Sequence, residues 1–198
     1  MKHLTTFALA LLAVSALSAE DVRFGAQATI TKPSGDLGGK DWMDSKLGYG
    51  VGVHTLFDLG GGAAIVPRID YTVYKNDQSI NALINQDAKA RILSAGADFH
   101  FYVGGNASQG FYLLGGLGYA RGQFDSSYSA GSIQLSAEGS KDAVYFQGGV
   151  GLNFTPNIGV ECRYQSLKFS DVETSFMGIK GRQSIDCPSL QASLVLRF

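Results

Sequence analysis

Seven ionisable residues, Arg23, Arg68, Asp70, Asp98, Glu161, Arg163 and Arg197, fall on the same side of alternating segments spread along this chain. Alternate residues of a strand share a face, so Asp98 stands beside His100, and Arg68 with Asp70 repeats that spacing on a neighbouring segment. Two chemistries are open to such a set. Enclosed together, four cations and three anions must neutralise one another, because an unpaired buried charge costs several kcal/mol or shifts its pKa. The forked guanidinium of arginine suits that task, since it can hold two carboxylates or grip one with two bonds. The result is a structural plug of salt bridges. The other chemistry is a proton or ion path, or an acid/base site, built from the same groups. Charged pairs two residues apart are common, so the need for satisfaction favours the plug.

Nucleophilic and metal chemistry find less support. Beyond the first nineteen residues only His54 and His100 remain, and no Ser-His-carboxylate arrangement can be assembled around either. Two histidines without clustered cysteines give no tetrahedral metal set. No catalytic residue, metal site or cofactor is therefore expected. Cys162 and Cys187 invite a disulfide if the chain is exported. If Ile158 faces Phe198 in an antiparallel pair, Cys162 faces Leu194 and Cys187 faces Phe169. That seven-residue offset is roughly 23 Å at about 3.3 Å per residue, against a limit of about 7 Å between bridged Cα atoms. Parity separates the two as well, so free thiols are expected.

The elements that must position these residues are strands. Alternation gives eight segments, near 22–31, 47–57, 63–74, 90–103, 111–122, 143–154, 158–169 and 188–198, each long enough to cross a bilayer as a tilted strand. Their connections alternate strictly. Residues 58–62, 104–110 and 155–157 are short and rich in Gly, Asn or Pro, whereas 32–46, 75–89, 123–142 and 170–187 are long and polar. Membrane barrels show this asymmetry, with short turns facing the periplasm and long loops facing outward.

One set of strand side chains is apolar: Leu47, Tyr49, Val51, Val53 and Phe57; Leu93, Ala95, Ala97, Phe99 and Phe101; Val144, Phe146, Val150, Leu152 and Phe154. The opposing set includes Gly48, Gly50, Gly52, Gly116, Gly118, Gly149 and Gly151, which suits a crowded interior with room for long charged arms. The apolar set therefore faces lipid, not the core of a soluble barrel. Phe57, Phe99, Phe101, Phe111, Phe154 and Phe198 should form a periplasmic band, and Tyr71, Tyr119, Tyr145 and Tyr164 an outer one. Pro67 cannot donate to a ladder, so a bulge or late pairing is expected beside it. The third loop, around Ser127 to Leu135, reads either as a hairpin extending the fifth and sixth strands or as a polar loop. Trp42 reads as a headgroup anchor or as a locally packed ring.

Both ends agree with export. Lys2, the apolar run from Phe7 to Val14 and the small residues after it have the layout of a cleaved signal peptide at 1–19, leaving a barrel domain at 20–198. Loss of residues 1–19 leaves 15 Lys+Arg against 17 Asp+Glu, a formal charge of −2 that gives no reason to expect nucleic acid. At the other end Leu190, Ala192, Leu194, Leu196 and Phe198 alternate with Gln191, Ser193, Val195 and Arg197. A last strand in lipid must close onto another, here Val22 to Thr31.

Such an ending resembles the terminal signal of bacterial outer-membrane barrels, which the barrel-assembly machinery reads through a final aromatic residue, here Phe198. Strand pattern, loop asymmetry and Phe198 together resemble the small outer-membrane barrel superfamily, which includes the transmembrane domain of outer membrane protein A, outer membrane protein X and the opacity proteins. The resemblance implies an all-β, eight-stranded antiparallel transmembrane β-barrel in the bacterial outer membrane, monomeric among outer-membrane lipids. It also implies roles in envelope integrity, adhesion or resistance to host defences, through an extracellular partner that the sequence does not identify. A narrow channel for small solutes is the alternative, and a lipid-modifying enzyme a more distant one. Barrel enzymes place their histidine toward the outer leaflet, whereas His54 and His100 fall near periplasmic strand ends, so no enzyme is expected.

Overall fold

The structure, a computed structural model, describes residues 21–39, 44, 46–81, 84–104, 107, 109–130, 133–176 and 179–198. The expected leader at 1–19 and Trp42 lie outside the described residues. The strands are β1 (Asp21–Pro33), β2 (Gly48–Gly60), β3 (Ala63–Asn81), β4 (Ile84–Tyr102), β5 (Gly110–Ala130), β6 (Ile133–Asn153), β7 (Ile158–Phe176), β8 (Ile179–Asp186) and β9 (Ser189–Arg197). Each is antiparallel to its neighbours, in the order β6-β5-β4-β3-β2-β1-β9-β7, and β6 also pairs with β7, which closes the ring. Because β8 and β9 both pair with β7, end to end, the wall has eight staves. The break falls at Cys187 and Pro188: the Cys187 N–H bonds to the Leu167 carbonyl at 2.8 Å, and Pro188 has no N–H to give. Three successive glycines, Gly60, Gly61 and Gly62, all at positive φ, make the β2–β3 turn where the sequence places one.

The apolar set faces outward. Leu93, Phe99 and Phe101 on β4 with Val103 just after it, Phe146 and Val150 on β6, and Leu190, Leu194, Leu196 and Phe198 at the C-terminus are all exposed. A belt of this extent far exceeds the few hundred Å² of contiguous apolar surface that a water-soluble protein tolerates, so its solvent is lipid. From Leu93 to Val103 the belt runs ten residue steps, roughly 33 Å of chain, or about 23 Å of height at a tilt of about 45°. Phe99, Phe101, Phe111, Phe154 and Phe198 lie in the periplasmic band, and Tyr71, Tyr119 and Tyr164 in the outer one, as expected. Two aromatics depart from expectation. Tyr145 has the inward parity of β6 and is buried in the lumen, and Phe57 is buried as well. Phe57 ends a run of four buried residues, His54 to Phe57, where strict alternation lapses. The β2–β3 ladder skips from His54↔Arg68 to Phe57↔Ile65, so the missing N–H of Pro67 removes rungs without shifting register. The bulge itself lies further on, between Asp58 and Gly60.

The long polar loops are mostly not loops. β3 and β4 stay paired to Asn81↔Ile84, β4 and β5 to Ile84↔Ala130, and β5 and β6 to Ala130↔Ile133. Residues 75–81, 84–89, 123–130 and 133–142 therefore form a four-stranded sheet rising beyond the lipid belt, and β7 with β8 forms a separate hairpin. The third connection takes the hairpin form. What holds these extensions is a second apolar core on their inner face. Tyr74, Ala88, Ala90, Ile92, Ala120, Phe124 and Tyr145 pack with Leu167, Phe169, Ile185 and Cys187, and Leu37 from the first loop seals the group. The described start of that loop, residues 34–39, is tied to the β8–β9 junction by Ser34 N–H to the Pro188 carbonyl (2.8 Å) and Leu37 N–H to the Asp186 carbonyl (3.2 Å).

The β7–β9 register also differs from expectation. Ile158 faces Leu196, not Phe198, which sets Cys162 opposite Ala192. Phe198 pairs instead with Phe24 of β1, through two backbone hydrogen bonds of 3.2 and 2.9 Å. The error is two residues, which preserves the face of every side chain. Cys162 is exposed on the lipid face and Cys187 buried, and both are free.

Candidate functional site

The lumen is layered. At the extracellular end lies the apolar core around Phe124 and Phe169, whose rings meet edge to face at 5.3 Å. At the periplasmic end Leu56, Ala64, Val66, Tyr102, Tyr112 and Leu114 close around Ala107 from the β4–β5 turn. Between them lies a charged and polar layer, supplied by the inward parity of eight strands, β1 to β7 and β9.

Arg68 is its hub. From β3 its Nη1 donates to Asp98 on β4 at 2.6 Å and reaches Glu161 on β7 at 3.4 Å, while Nε donates to Asp70 at 3.1 Å. Arg163 lies 3.6 Å from Glu161 and 3.8 Å from Asp70, and Arg197 lies 3.8 Å from Glu161. Three guanidinium groups thus meet three carboxylates, and the charge balances. Arg23 is half-buried at the periplasmic start of β1, opposite Leu56. The other six residues singled out in the sequence all come together in one ion-pair network.

Neutral side chains complete it. Gln147 donates to Asp98 and Gln27 to Asp70, each at 2.6 Å. Tyr112 donates to Glu161 at 2.8 Å, Arg197 to Asn153 at 2.5 Å, and Arg163 to Ser193 at 3.2 Å. Gln27 also meets the His54 ring at 2.5 Å. His100 stacks on Tyr112 with ring centroids 4.8 Å apart, and its Nε2 lies 4.0 Å from Asp98. Their type alone does not mark these residues, but their inward parity does. The glycines opposite serve the rings as much as the charges. A Cβ at Gly116 would strike the Asp98 carboxylate, whereas one at Gly151 would strike Tyr112 and one at Gly118 would meet Tyr145.

Both histidines are buried, His54 opposite Arg68 in this layer and His100 opposite Ala64, close to the periplasmic end of β4. Among the described residues no three His, Cys, Asp or Glu side chains are placed to hold a metal ion. Chemically, the arrangement can hold charge in fixed pairs across four strands.

A family model described as the outer membrane protein beta-barrel domain matches residues 4–198. The chain belongs to this family. Solved structures repeat its fold. Ail, the attachment invasion locus protein of Yersinia pestis, is 15% identical with a TM-score of 0.53, over 92% of this chain and 100% of that one. The N-terminal β-barrel domain of Pseudomonas aeruginosa OprF is 11% identical with a TM-score of 0.52, over 88% and 97%. Neisserial surface protein A is 19% identical with a TM-score of 0.51, over 91% and 99%. No curated protein matches the chain. Family and fold together put this small outer-membrane β-barrel in the bacterial outer membrane, with its short turns toward the periplasm.

Proposed function

We propose that this barrel is a membrane-anchored support for a surface-exposed β-sheet that engages an extracellular partner, and that its lumen is a structural plug and not a conduit. The observation that carries this reading is the length of β5 and β6. They stay paired eleven residue steps beyond Tyr119 of the outer aromatic band, roughly 36 Å of strand at about 3.3 Å per residue. Beyond Tyr145↔Leu167 the outer edge of β6 has no rung to β7, and such an edge can pair with an extended segment of another protein. One structural relative, Ail, was solved in complex with the heparin analogue sucrose octasulfate. Here the outer segments mix both signs of charge, which favours a protein partner over a polyanion. Ion pairs through the middle of the lumen and apolar clusters at both ends argue against the narrow channel. Phe198, exposed at the periplasmic rim, is available as the assembly signal. The lumen histidines lie far from the outer leaflet, which speaks against lipid modification.

The test replaces residues 125–138 by a two-residue turn joining Phe124 to Gly139. Bacteria displaying the intact protein are expected to adhere to immobilised extracellular-matrix proteins, and those displaying the shortened form to lose that adhesion at equal surface abundance. Equal adhesion would remove the hairpin from the role. In planar bilayers the intact protein is expected to give no stable current steps, and reproducible steps would favour the channel.

A further inference from the structure

Arg197 of β9, Gly25 of β1, His54 of β2 and Arg68 of β3 stand on one rung of the lumen wall, each paired with the next. His54 is thus flanked by two arginine positions. The Gln27 amide nitrogen donates to the Asp70 carboxylate at 2.6 Å, and a carboxylate only accepts, so the amide oxygen is the end that faces His54 Nδ1 at 2.5 Å. Nδ1 must therefore carry a hydrogen. A further proton has to enter at Nε2, which is buried and has no hydrogen-bond partner among the described residues. The ring leans over Gly25, where a Cβ would strike both Nε2 and the Leu196 carbonyl.

The charges around this ring are already engaged with one another. Arg68 faces it from β3, Arg197 from β9, and Arg23 stands one inward position before Gly25 on β1. Glu161 of β7 and His100 of β4 act on it across the lumen, and Asp70 reaches it through Gln27. Glu161 is held by Arg68, Arg163, Arg197 and Tyr112, Asp70 by Arg68 and Gln27, and Asp98 by Arg68 and Gln147. A proton at His54 Nε2 finds no unengaged carboxylate among the described residues. The neighbouring Leu196 carbonyl is neutral and cannot balance the charge. His100 differs, because its Nε2 lies 4.0 Å from the Asp98 carboxylate, so a proton there meets an anion directly.

We propose that His54 is an acid sensor of the lumen: a proton at its Nε2 turns three cations against three anions into four against three and loosens the ion-pair plug. In a low-dielectric layer that fourth cation and the closed network exclude each other. The plug is tight near neutral pH, and acid shifts the barrel toward states in which His54 meets water. This inference rests on the reading of the lumen as a plug and adds its regulation.

Full-length protein in zwitterionic lipid vesicles is unfolded in urea at pH 7.5 and at pH 5.5. That window spans the ordinary imidazole value of about 6.5 and leaves ordinary carboxylates, near about 4, ionised. At a fixed urea concentration the parent's ratio of folded to unfolded protein is expected to fall roughly tenfold at the lower pH, as exclusion of one proton from the folded form requires. H54Q can still donate to Gln27 but does not titrate, so it is expected to lose this dependence, and H100Q to keep it. A merely structural role for His54 would shift H54Q by the same amount at both pH values and leave the dependence in place. If H54Q does not fold, H54N carries the same expectation. A parent indifferent to this change of pH, or a dependence that survives in the His54 variant, would overturn the sensor alone. Stable current steps in planar bilayers at pH 7.5 would remove the plug, and the sensor with it.

Discussion

Arg68 touches Asp70, Asp98 and Glu161 at once, so it is the single side chain on which the buried charge balance depends. Replacing it by methionine leaves three carboxylates for two guanidinium groups in a low-dielectric layer. R68M is expected to destabilise the barrel by about 3–5 kcal/mol, as breaking a buried pair from one side does. The check is urea unfolding in lipid vesicles. A pair of neighbouring glycines gives a finer contrast. At Gly116 a Cβ would strike the Asp98 carboxylate and the Ala97 carbonyl, while at Gly115, facing lipid, it would meet nothing within 4 Å. G116A is expected to cost about 1–3 kcal/mol through overpacking, and G115A to unfold like the parent in the same assay. Parity alone assigned Arg68, Asp70, Asp98, Glu161, Arg163 and Arg197 to the interior, because a strand's period of two decides the face of each residue. It could not say that Arg68 would be the hub, because that depends on which strands the closed barrel sets across from β3.

At the scale of elements, the positions of the short turns were legible and the extents of the outer strands were not. Gly60 to Gly62 announce a turn by composition, since all three adopt positive φ. Nothing comparable marks residues 75–89 or 123–142, whose polar outer faces read as loop. Their strand character comes from Tyr74, Ala88, Ala90 and Phe124, which are too sparse to show alternation yet complete one apolar core with β7, β8 and the first loop. The β8–β9 break has a consequence of its own. Cys187 is buried there, and burial, with the carboxylates of Asp36 and Asp186 nearby, pushes its thiol well above the usual range. It stays protonated at pH 8, and protonated thiols are poor nucleophiles. A water-soluble maleimide at that pH is expected to leave folded protein in vesicles unlabelled, with Cys162 in lipid and Cys187 in the outer core. Denaturation should expose two thiols, and labelling of Cys187 before denaturation would contradict the packing of the first loop against the junction.

The whole molecule is a closed cylinder whose last strand completes it. β9 pairs with β1 from Gly25↔Arg197 to Pro33↔Ser189 and with β7 on its other side, so its removal opens two ladders within lipid. Protein lacking residues 190–198 is expected to migrate identically on gels before and after boiling, whereas the full chain should shift on boiling. A shift in the truncated form would mean that closure does not require β9. By itself the sequence determined the membrane barrel, its eight staves, its lipid face and the inward parity of its charged residues. These follow from alternation and from the rule that no backbone group goes unpaired in lipid. Only the tertiary structure decided the two-residue register of β7 on β9, the balanced ion-pair network and the sheet that stands above the membrane. Each of those depends on contacts between residues far apart in the chain, and no local pattern encodes them.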